Sequence, residues 1–151
     1  MHTAGIHHVS AVAGAPQPNA DFYAGVLGLR LVKRTVNFDD AGTYHLYYGD
    51  ATGRPGTLMT FFPWAHAKPG RAGQGSTTAT AFAVPAGSLD YWMGRLADHA
   101  LDFDAPEVRF GEPVLRLRDP DGLALELIAH GGPDEGEWSG PVPATHAPRG
   151  F

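Results

Sequence analysis

The sequence has 151 residues, 43% of them hydrophobic and 18% charged, with a formal net charge of −5. This composition is typical of one folded domain or of two small repeated units, and the lack of a basic cluster argues against a nucleic-acid partner. The chain contains no cysteine, which excludes disulfides and thiolate metal ligands. Because it shows neither a signal peptide nor a membrane-length apolar run, we expect a cytoplasmic protein with no membrane partner.

Residues 1–64 predict one strand, one helix and three further strands. The opening run "GIHHVSAVAG" is typical of a strand. Next, "QPNADFYAGVLGLR" places apolar residues at helical spacing, with Asn19 as the predicted N-cap and Gly28 at the end of the helix. Three β-rich runs separated by turn sequences complete this unit: "LVKRTVNF", "TYHLYYGD" and "TLMTFFPW".

Residues 76–130 repeat the same order after a Gly-rich linker at residues 65–75. The run "TTATAFAVP" predicts a strand, and "GSLDYWMGRLADHA" predicts a helix with Ser88 as N-cap. Three strands follow, the last two joined by a turn at "DPDG", residues 119–122. The tail, residues 131–151, is rich in glycine, proline and acidic residues, and we expect it to lie irregularly on the surface.

The repeat predicts an α+β fold of two βαβββ modules whose curved mixed sheets form an open barrel. One such module leaves an apolar sheet face exposed, so two modules must pair to bury a core. Aligning the two modules puts His8 opposite Ala79 and Thr60 opposite Glu126. We expect the curvature of the sheets to direct His8 and Glu126 towards the same concave side.

Strand alternation separates the two adjacent histidines. His8 shares a face with Ile6 and Ser10, whereas His7 belongs to the other face, and we expect His8 to point to the concave side. Glu126 lies in an apolar strand, where a carboxylate needs an ion pair, a hydrogen bond or a metal. The pattern leaves open whether His8 is a metal ligand or a hydrogen-bonded core histidine, and whether Glu126 is a ligand or a salt-bridge partner.

The remaining candidates have less specific patterns. His45 lies in mid-strand, and we expect it to be packed or hydrogen-bonded. Trp64 lies beside the linker, where an aromatic side chain can line a substrate pocket. Four further histidines lie in loops or at the ends of elements, and we expect them to be solvated: His66, His99, His130 and His146.

Several longer segments together carry a specific family pattern. They are "HHVS" (7–10), "FYAGVLGLRLVKRTVNFDD" (22–40), "YHLYYGDATGRPGTLMTFFPW" (44–64), "GRAGQGS" (70–76), "AVPAGSLDYWMGRL" (83–96), "RFGEP" (109–113) and "HAPRGF" (146–151). With them the sequence resembles the vicinal oxygen chelate superfamily, which includes glyoxalase I, bleomycin-resistance proteins and extradiol dioxygenases. Within that superfamily it resembles the N-terminal half of the hydroquinone-type ring-cleaving dioxygenases.

The resemblance implies a longer chain of four βαβββ modules, of which this sequence matches the first two. It also implies an Fe(II) site of two histidines and one carboxylate, with His8 as one ligand and the other two in the half that this sequence does not match. His7 and Ser10 match positions near the metal or the substrate, which makes His7 a candidate for proton transfer and Ser10 a candidate for substrate binding. Glu126 matches a position that is a metal ligand in other members of the superfamily.

The implied function is ring cleavage of a small aromatic substrate, a hydroquinone or a catechol, with dioxygen as the second substrate. Zn(II), Ni(II) or Mn(II) are the alternative metals, with no metal in the isolated chain as a further alternative. Two other functions stay open: a glyoxalase-like isomerase with its metal on His8 and Glu126, and a metal-free protein that binds a small aromatic molecule. Because the aligned positions supply at most two ligands, we expect weak metal binding by this chain alone, and either a homodimer or pairing with a C-terminal half.

Overall fold

Two four-stranded mixed sheets form the framework of the computed structural model, which describes residues 5–71, 73–131 and 140–151. The first sheet contains β1 (His8–Ala13), β2 (Arg30–Val36), β3 (Tyr44–Gly49) and β4 (Leu58–Pro63), in the spatial order β1-β4-β3-β2. Within it, β1 and β4 are parallel and the other neighbours are antiparallel. This parallel pair at one edge follows from the helical crossover between β1 and β2.

The crossover of the first module is α1 (Pro16–Ala20), which continues as a π-helical segment, Asp21–Val26. The prediction of Asn19 as N-cap is wrong: Ala15 occupies that position, and a proline begins the helix, where its missing N–H costs nothing. Asn19 is instead buried within the helix, where its Oδ1 accepts a hydrogen bond from Tyr48. Gly28 follows the end of the helix with φ +72°, as its position predicts.

The second sheet repeats this arrangement. It contains β5 (Thr80–Pro85), β6 (Glu107–Arg109), β7 (Glu112–Arg118) and β8 (Ala124–His130), in the order β5-β8-β7-β6, with α2 (Leu89–Asp98) as its crossover. Ser88 is the N-cap residue of α2, although its side chain caps no backbone N–H. The predicted turn between β7 and β8 is present, because the N–H of Gly122 donates to the carbonyl of Asp119.

The prediction of an α+β fold with two βαβββ units is therefore confirmed, and the two sheets are not closed into a barrel. Their registers also support the alignment of the two repeats. Ser10 lies opposite Thr60 in the first sheet, and Ala81 lies opposite Glu126 in the second. Thr60 and Glu126 thus occupy equivalent positions on their sheets.

One hydrophobic core joins the two modules. Its large, fully buried side chains come from both: Tyr23, Tyr48, Phe61, Phe82 and Trp92. Arg95 on α2 adds a polar link, since its guanidinium donates 2.7 Å hydrogen bonds to the carbonyls of Gly25 and Val26. These contacts satisfy carbonyl groups at the end of the π-helical segment, which lack intrahelical partners.

The C-terminal tail differs from its predicted place on the surface. Val142 and Ala147 are buried in the common core, and the Ala83 N–H donates to the carbonyl of Gly150. The N–H of Phe151 in turn donates to the carbonyl of Gly56 in the first module. The described part of the tail therefore binds β5 and the first module together, while residues 132–139 lie outside the described ranges.

No helix in the described part of the chain is long and apolar enough to cross a membrane.

Candidate functional site

The candidate site lies on the uncovered face of the first sheet. Residues of β1 alternate in exposure, with His8, Ser10 and Val12 exposed and Val9 and Ala11 turned towards the core. His8 therefore lies on the same face as Ser10, as strand alternation predicts. The opposite face of the sheet packs against the core, so only this face is open to a ligand.

The rings of His7 and His8 lie against each other. Their Nδ1 atoms are 3.1 Å apart, and the two rings meet edge to face. His7 precedes the first residue of β1, so strand alternation does not separate the two rings as we expected from the sequence. Both rings are exposed, and together they offer imidazole nitrogens to solvent at one edge of the sheet.

A chain of hydrogen bonds runs across the same face from Ser10. The Ser10 hydroxyl contacts the Thr60 hydroxyl at 2.8 Å, and His45 Nε2 lies 3.2 Å from that Thr60 oxygen. The Tyr47 hydroxyl is 2.8 Å from His45 Nδ1. His45 is thus hydrogen-bonded, as the sequence predicts. Its pKa is lowered, mainly by burial and secondly by the positive charge of Lys33.

Aromatic rings line the face beside this chain. Phe62 stacks on His45 at 3.9 Å between centroids, and Trp64 stacks on Phe62 at 6.5 Å. The Trp64 indole is 40% exposed, and its N–H donates to Asp40. Trp64 therefore lies on the same face as His8 and Ser10, where a flat ligand would find apolar ring surface.

Glu126 occupies the equivalent face of the second sheet, but its oxygens are already bound. The Arg109 guanidinium contacts both of them, and Arg116 Nε donates to one at 3.2 Å. These hydrogen bonds hold the pKa of the Glu126 carboxyl below its ordinary value, and the contribution of Arg109 is the largest. The carboxylate is thus placed as a salt-bridge partner, the alternative that the sequence left open, and a metal there would have to displace two guanidinium groups.

A cavity of about 760 Å³ opens beside this ion cluster. Its walls include the same three charged side chains and the segment that precedes β6: Ala100, Leu101, Asp102, Phe103 and Asp104. Both arginine and carboxylate side chains line it, so it has no single charge character.

The predictions for the outlying histidines separate into two groups. His66, His99 and His130 are exposed, as expected. The prediction for His146 is wrong: its ring stacks on Tyr91 at 4.2 Å, and its Nδ1 lies 3.2 Å from the Ser88 hydroxyl. The buried tail causes this difference, because it carries His146 onto α2.

Among the described residues, no group of three or more histidine, aspartate or glutamate side chains is placed to hold a metal ion. Thr60, Tyr47 and the two arginines beside Glu126 are not among the functional residues predicted from the sequence. For Tyr47 and Thr60 the signal was the period-2 pattern of "YHLYY" and "TLMTFF", which puts Tyr47 with His45 and Thr60 with Phe62.

The chain matches known proteins over nearly its whole length. The model of the Glyoxalase/Bleomycin resistance protein/Dioxygenase superfamily matches residues 5–127. A relative from Bacillus subtilis (strain 168), named "Putative ring-cleaving dioxygenase MhqO", is 49% identical over 150 residues, which cover 99% of this chain and 48% of the relative. The "Chlorohydroquinone/hydroquinone 1,2-dioxygenase" of Sphingobium indicum is 38% identical over 152 residues, covering 97% and 47%. The chain spans about half the length of the curated relatives it matches.

Solved structures agree with the family match. The crystal structure named "putative dioxygenase from Bacillus subtilis" has a TM-score of 0.94 and 49% identity, covering 99% of this chain and 48% of that one. A glyoxalase family protein from Enterococcus faecalis has a TM-score of 0.69 at 21% identity, covering 85% of this chain and 99% of that one. The second likeness concerns the fold alone.

Proposed function

Since this chain belongs to the Glyoxalase/Bleomycin resistance protein/Dioxygenase superfamily, we propose that it contributes one wall of a ring-cleaving dioxygenase site for a hydroquinone or a catechol. The observation that carries the proposal is the common face of His8, Ser10 and Trp64 on the first sheet. Relatives at 38–49% identity carry names of this activity. Dioxygen is the second substrate in this proposal.

The proposed metal ligand of this chain is His8. A non-haem Fe(II) oxygenase site combines two histidines with one carboxylate, and the described residues do not bring such a set together. We propose that two further ligands come from outside the described residues. In our proposal they come from a region corresponding to the half of the relatives that this chain does not match, and the metal is Fe(II), which activates dioxygen when bound.

The other predicted residues have roles that fit their positions. His7 touches His8, so it can orient that ring or exchange a proton with a bound hydroxyl. Ser10 offers a hydroxyl on the open face, and Trp64 offers a half-exposed ring against which an aromatic substrate can stack. Glu126 has no part in this proposal, because Arg109 and Arg116 hold its oxygens.

The test is to complete the site and to measure oxygen uptake. We would fuse this chain to the half of MhqO that it does not match, load the fusion anaerobically with Fe(II), and add hydroquinone or catechol. The expected result is substrate-dependent oxygen consumption by the fusion and little by the 151-residue chain alone. His8→Ala in the fusion should abolish it, whereas His99→Ala, an exposed histidine at the end of α2, should not.

The opposite results would refute the proposal. If the folded, iron-loaded fusion consumes no oxygen with either substrate, ring cleavage is not its function. Full activity in His8→Ala would remove His8 as a ligand. An isomerase that places its metal on His8 and Glu126 would instead require that Glu126→Gln abolish metal binding by this chain.

A further inference from the structure

The hydrogen-bond chain on the first sheet connects Ser10 on the open face with Tyr47 on β3. Its links are Ser10 to Thr60 at 2.8 Å, Thr60 to His45 at 3.2 Å and His45 to Tyr47 at 2.8 Å. Thr60 is fully buried, and Tyr47 is partly exposed. The hydrogen-bond chain therefore begins at the candidate ligand face, passes through a buried position, and ends at a partly exposed residue.

Every group in the chain can both donate and accept. Each hydroxyl has one proton and free lone pairs, and a neutral imidazole donates from one nitrogen while it accepts at the other. An imidazolium would donate from both nitrogens and break the chain. His45 is suited to the neutral form, since burial and then the charges of Lys33 and His8 lower its pKa.

The surroundings of His45 hold its ring in place. Phe62 from β4 stacks on one side at 3.9 Å, and Tyr47 from β3 lies at 4.1 Å. The charged and titratable groups around it are Lys33 from β2, His8 from β1 and Tyr47 itself. Lys33 Nζ lies 5.3 Å from the centre of the Tyr47 ring, which places a cation beside the last residue of the hydrogen-bond chain.

We propose that Ser10, Thr60, His45 and Tyr47 form a proton relay that carries the hydroxyl proton of a phenolic ligand from the open face to solvent. This inference rests on the proposed function, because it assumes a hydroquinone or catechol hydroxyl beside Ser10. It adds a role for three residues, since Thr60, His45 and Tyr47 are positioning residues that act through Ser10.

The transfer balances without any further reactant. The ligand hydroxyl gives its proton to Ser10, whose own proton passes to Thr60, and the Thr60 proton passes to His45 Nε2. His45 then gives its Nδ1 proton to Tyr47, and Tyr47 releases its proton to water. Each protein group ends with as many protons as it had, the imidazole has changed tautomer, and Ser10 now donates to the ligand oxyanion, which stabilises that anion.

The second module shows that the fold does not require this chain of hydrogen bonds. At the positions equivalent to Ser10 and Thr60, the second sheet has Ala81 and Glu126. At the position equivalent to Tyr47 it has Arg116, which lies opposite Glu126 as Tyr47 lies opposite Thr60. The same backbone positions there hold an ion cluster, so the continuous chain is a property of the first module's face.

The first test uses the full chain without ligand or metal. We would measure the ring ¹⁵N resonances of His45 by NMR in the wild type and in Ser10→Ala, Thr60→Val and Thr35→Val. The described hydrogen bonds connect Ser10 to His45 only through Thr60, so a coupled hydrogen-bond chain predicts that Ser10→Ala shifts the His45 Nε2 resonance in the same sense as Thr60→Val. Thr35→Val is the matched control, because Thr35 lies opposite His45 on β2 but takes no part in the hydrogen-bond chain. An unchanged Nε2 resonance in Ser10→Ala would overturn the relay.

The second test follows the proton of a ligand. The probe is 4-nitrocatechol, whose visible absorbance reports ionisation of its hydroxyl. In the wild type we expect bound probe to ionise about one pH unit below free probe, the effect of roughly one hydrogen bond to a charged group. His45→Phe keeps a stacked ring but removes both nitrogens, and Tyr47→Phe removes the last hydroxyl. Each variant should abolish most of the shift in the ionisation of the bound probe, while its affinity for the probe changes by less than about threefold.

The outcomes separate the relay from the proposed function. Binding of 4-nitrocatechol with an unaltered ionisation shift in His45→Phe would refute the relay and leave the proposed function standing. If this protein alone, which offers one wall of the site, does not bind the probe, the same measurement is made on the iron-free fusion. No binding of the probe to the fusion would count against the proposed function on this face, and the coupling seen by NMR would then decide the relay alone.

Discussion

The hydroxyl of Tyr23 donates a 3.0 Å hydrogen bond to Oδ2 of Asp119, although the two residues belong to different modules. Tyr23 is fully buried, and Asp119 is 5% exposed. Burial raises the pKa of both groups, so a neutral phenol faces a carboxyl that is less acidic than usual. This contact joins the π-helical segment of the first module to the turn between β7 and β8 of the second.

Tyr23→Phe should destabilise the chain by about 1–3 kcal/mol, because it leaves a buried carboxyl without one of its hydrogen-bond donors. The measurement is urea denaturation followed by far-ultraviolet circular dichroism. Tyr44→Phe is the control, since Tyr44 is 48% exposed. Equal midpoints for Tyr23→Phe and the wild type would show that the contact contributes nothing to the packing of the modules.

Glu126 should make the stability of the protein fall at low pH. Its pKa is lowered in the folded state by Arg109 and Arg116, so its stabilising contribution is complete above the ordinary glutamate pKa. That contribution is lost as the pH falls through the folded value. We expect the urea midpoint of the wild type to fall between pH 5 and pH 3, at roughly the range in which such carboxylates titrate, and to fall less in Glu126→Gln.

Asp119 provides a control of opposite sign for that titration. Burial raises its pKa in the folded state, so its contribution is largest below the ordinary aspartate pKa and is lost as the pH rises through the folded value. Asp119→Asn should therefore remove a dependence that opposes the one from Glu126. A steeper loss of stability in acid for Glu126→Gln than for the wild type would contradict the assignment of the ion cluster.

Gly150→Ala should destabilise the chain by about 1–3 kcal/mol, because a side chain there is strained. Gly150 has φ +136°, and an added Cβ would lie 2.6 Å from the carbonyl oxygen of Gly56. The control is Gly94→Ala in the exposed middle of α2, where an added Cβ meets nothing within 4 Å. That change should stabilise by about 0.5–1 kcal/mol through helix propensity. Thermal unfolding of both variants gives the comparison, and a tolerated Gly150→Ala would mean that the tail is not held as described.

His8→Ala should change the stability of this chain by less than about 0.5 kcal/mol, since the ring is exposed and touches His7 alone among the contacts described. The wild-type chain should retain less than one equivalent of Fe(II) after anaerobic dialysis. A missing supporting partner already costs roughly 10–100-fold in metal affinity, and the described residues bring no set of three ligands together. Stoichiometric iron in the dialysed wild type would show that residues of this chain complete the site.

The repeat, the strand faces and the turns could be predicted from the sequence by itself. Alternation along "HHVSAVA" places His8 with Ser10 because successive strand residues face opposite sides. The period of each run, together with Gly28 and the turn at residues 119–122, sets the order of strand and helix. These are local properties, since each depends on residues within a few positions of one another.

Only the tertiary structure decided what lies next to what. The oxygens of Glu126 are bound by Arg109, which is 17 positions away, and the buried tail carries His146 onto Tyr91. Thr60 joins Ser10 to His45 only because β4 lies between β1 and β3. Pairwise contacts of this kind depend on strand order and packing across the whole chain, and a sequence pattern with a period of two or four residues carries no information about them.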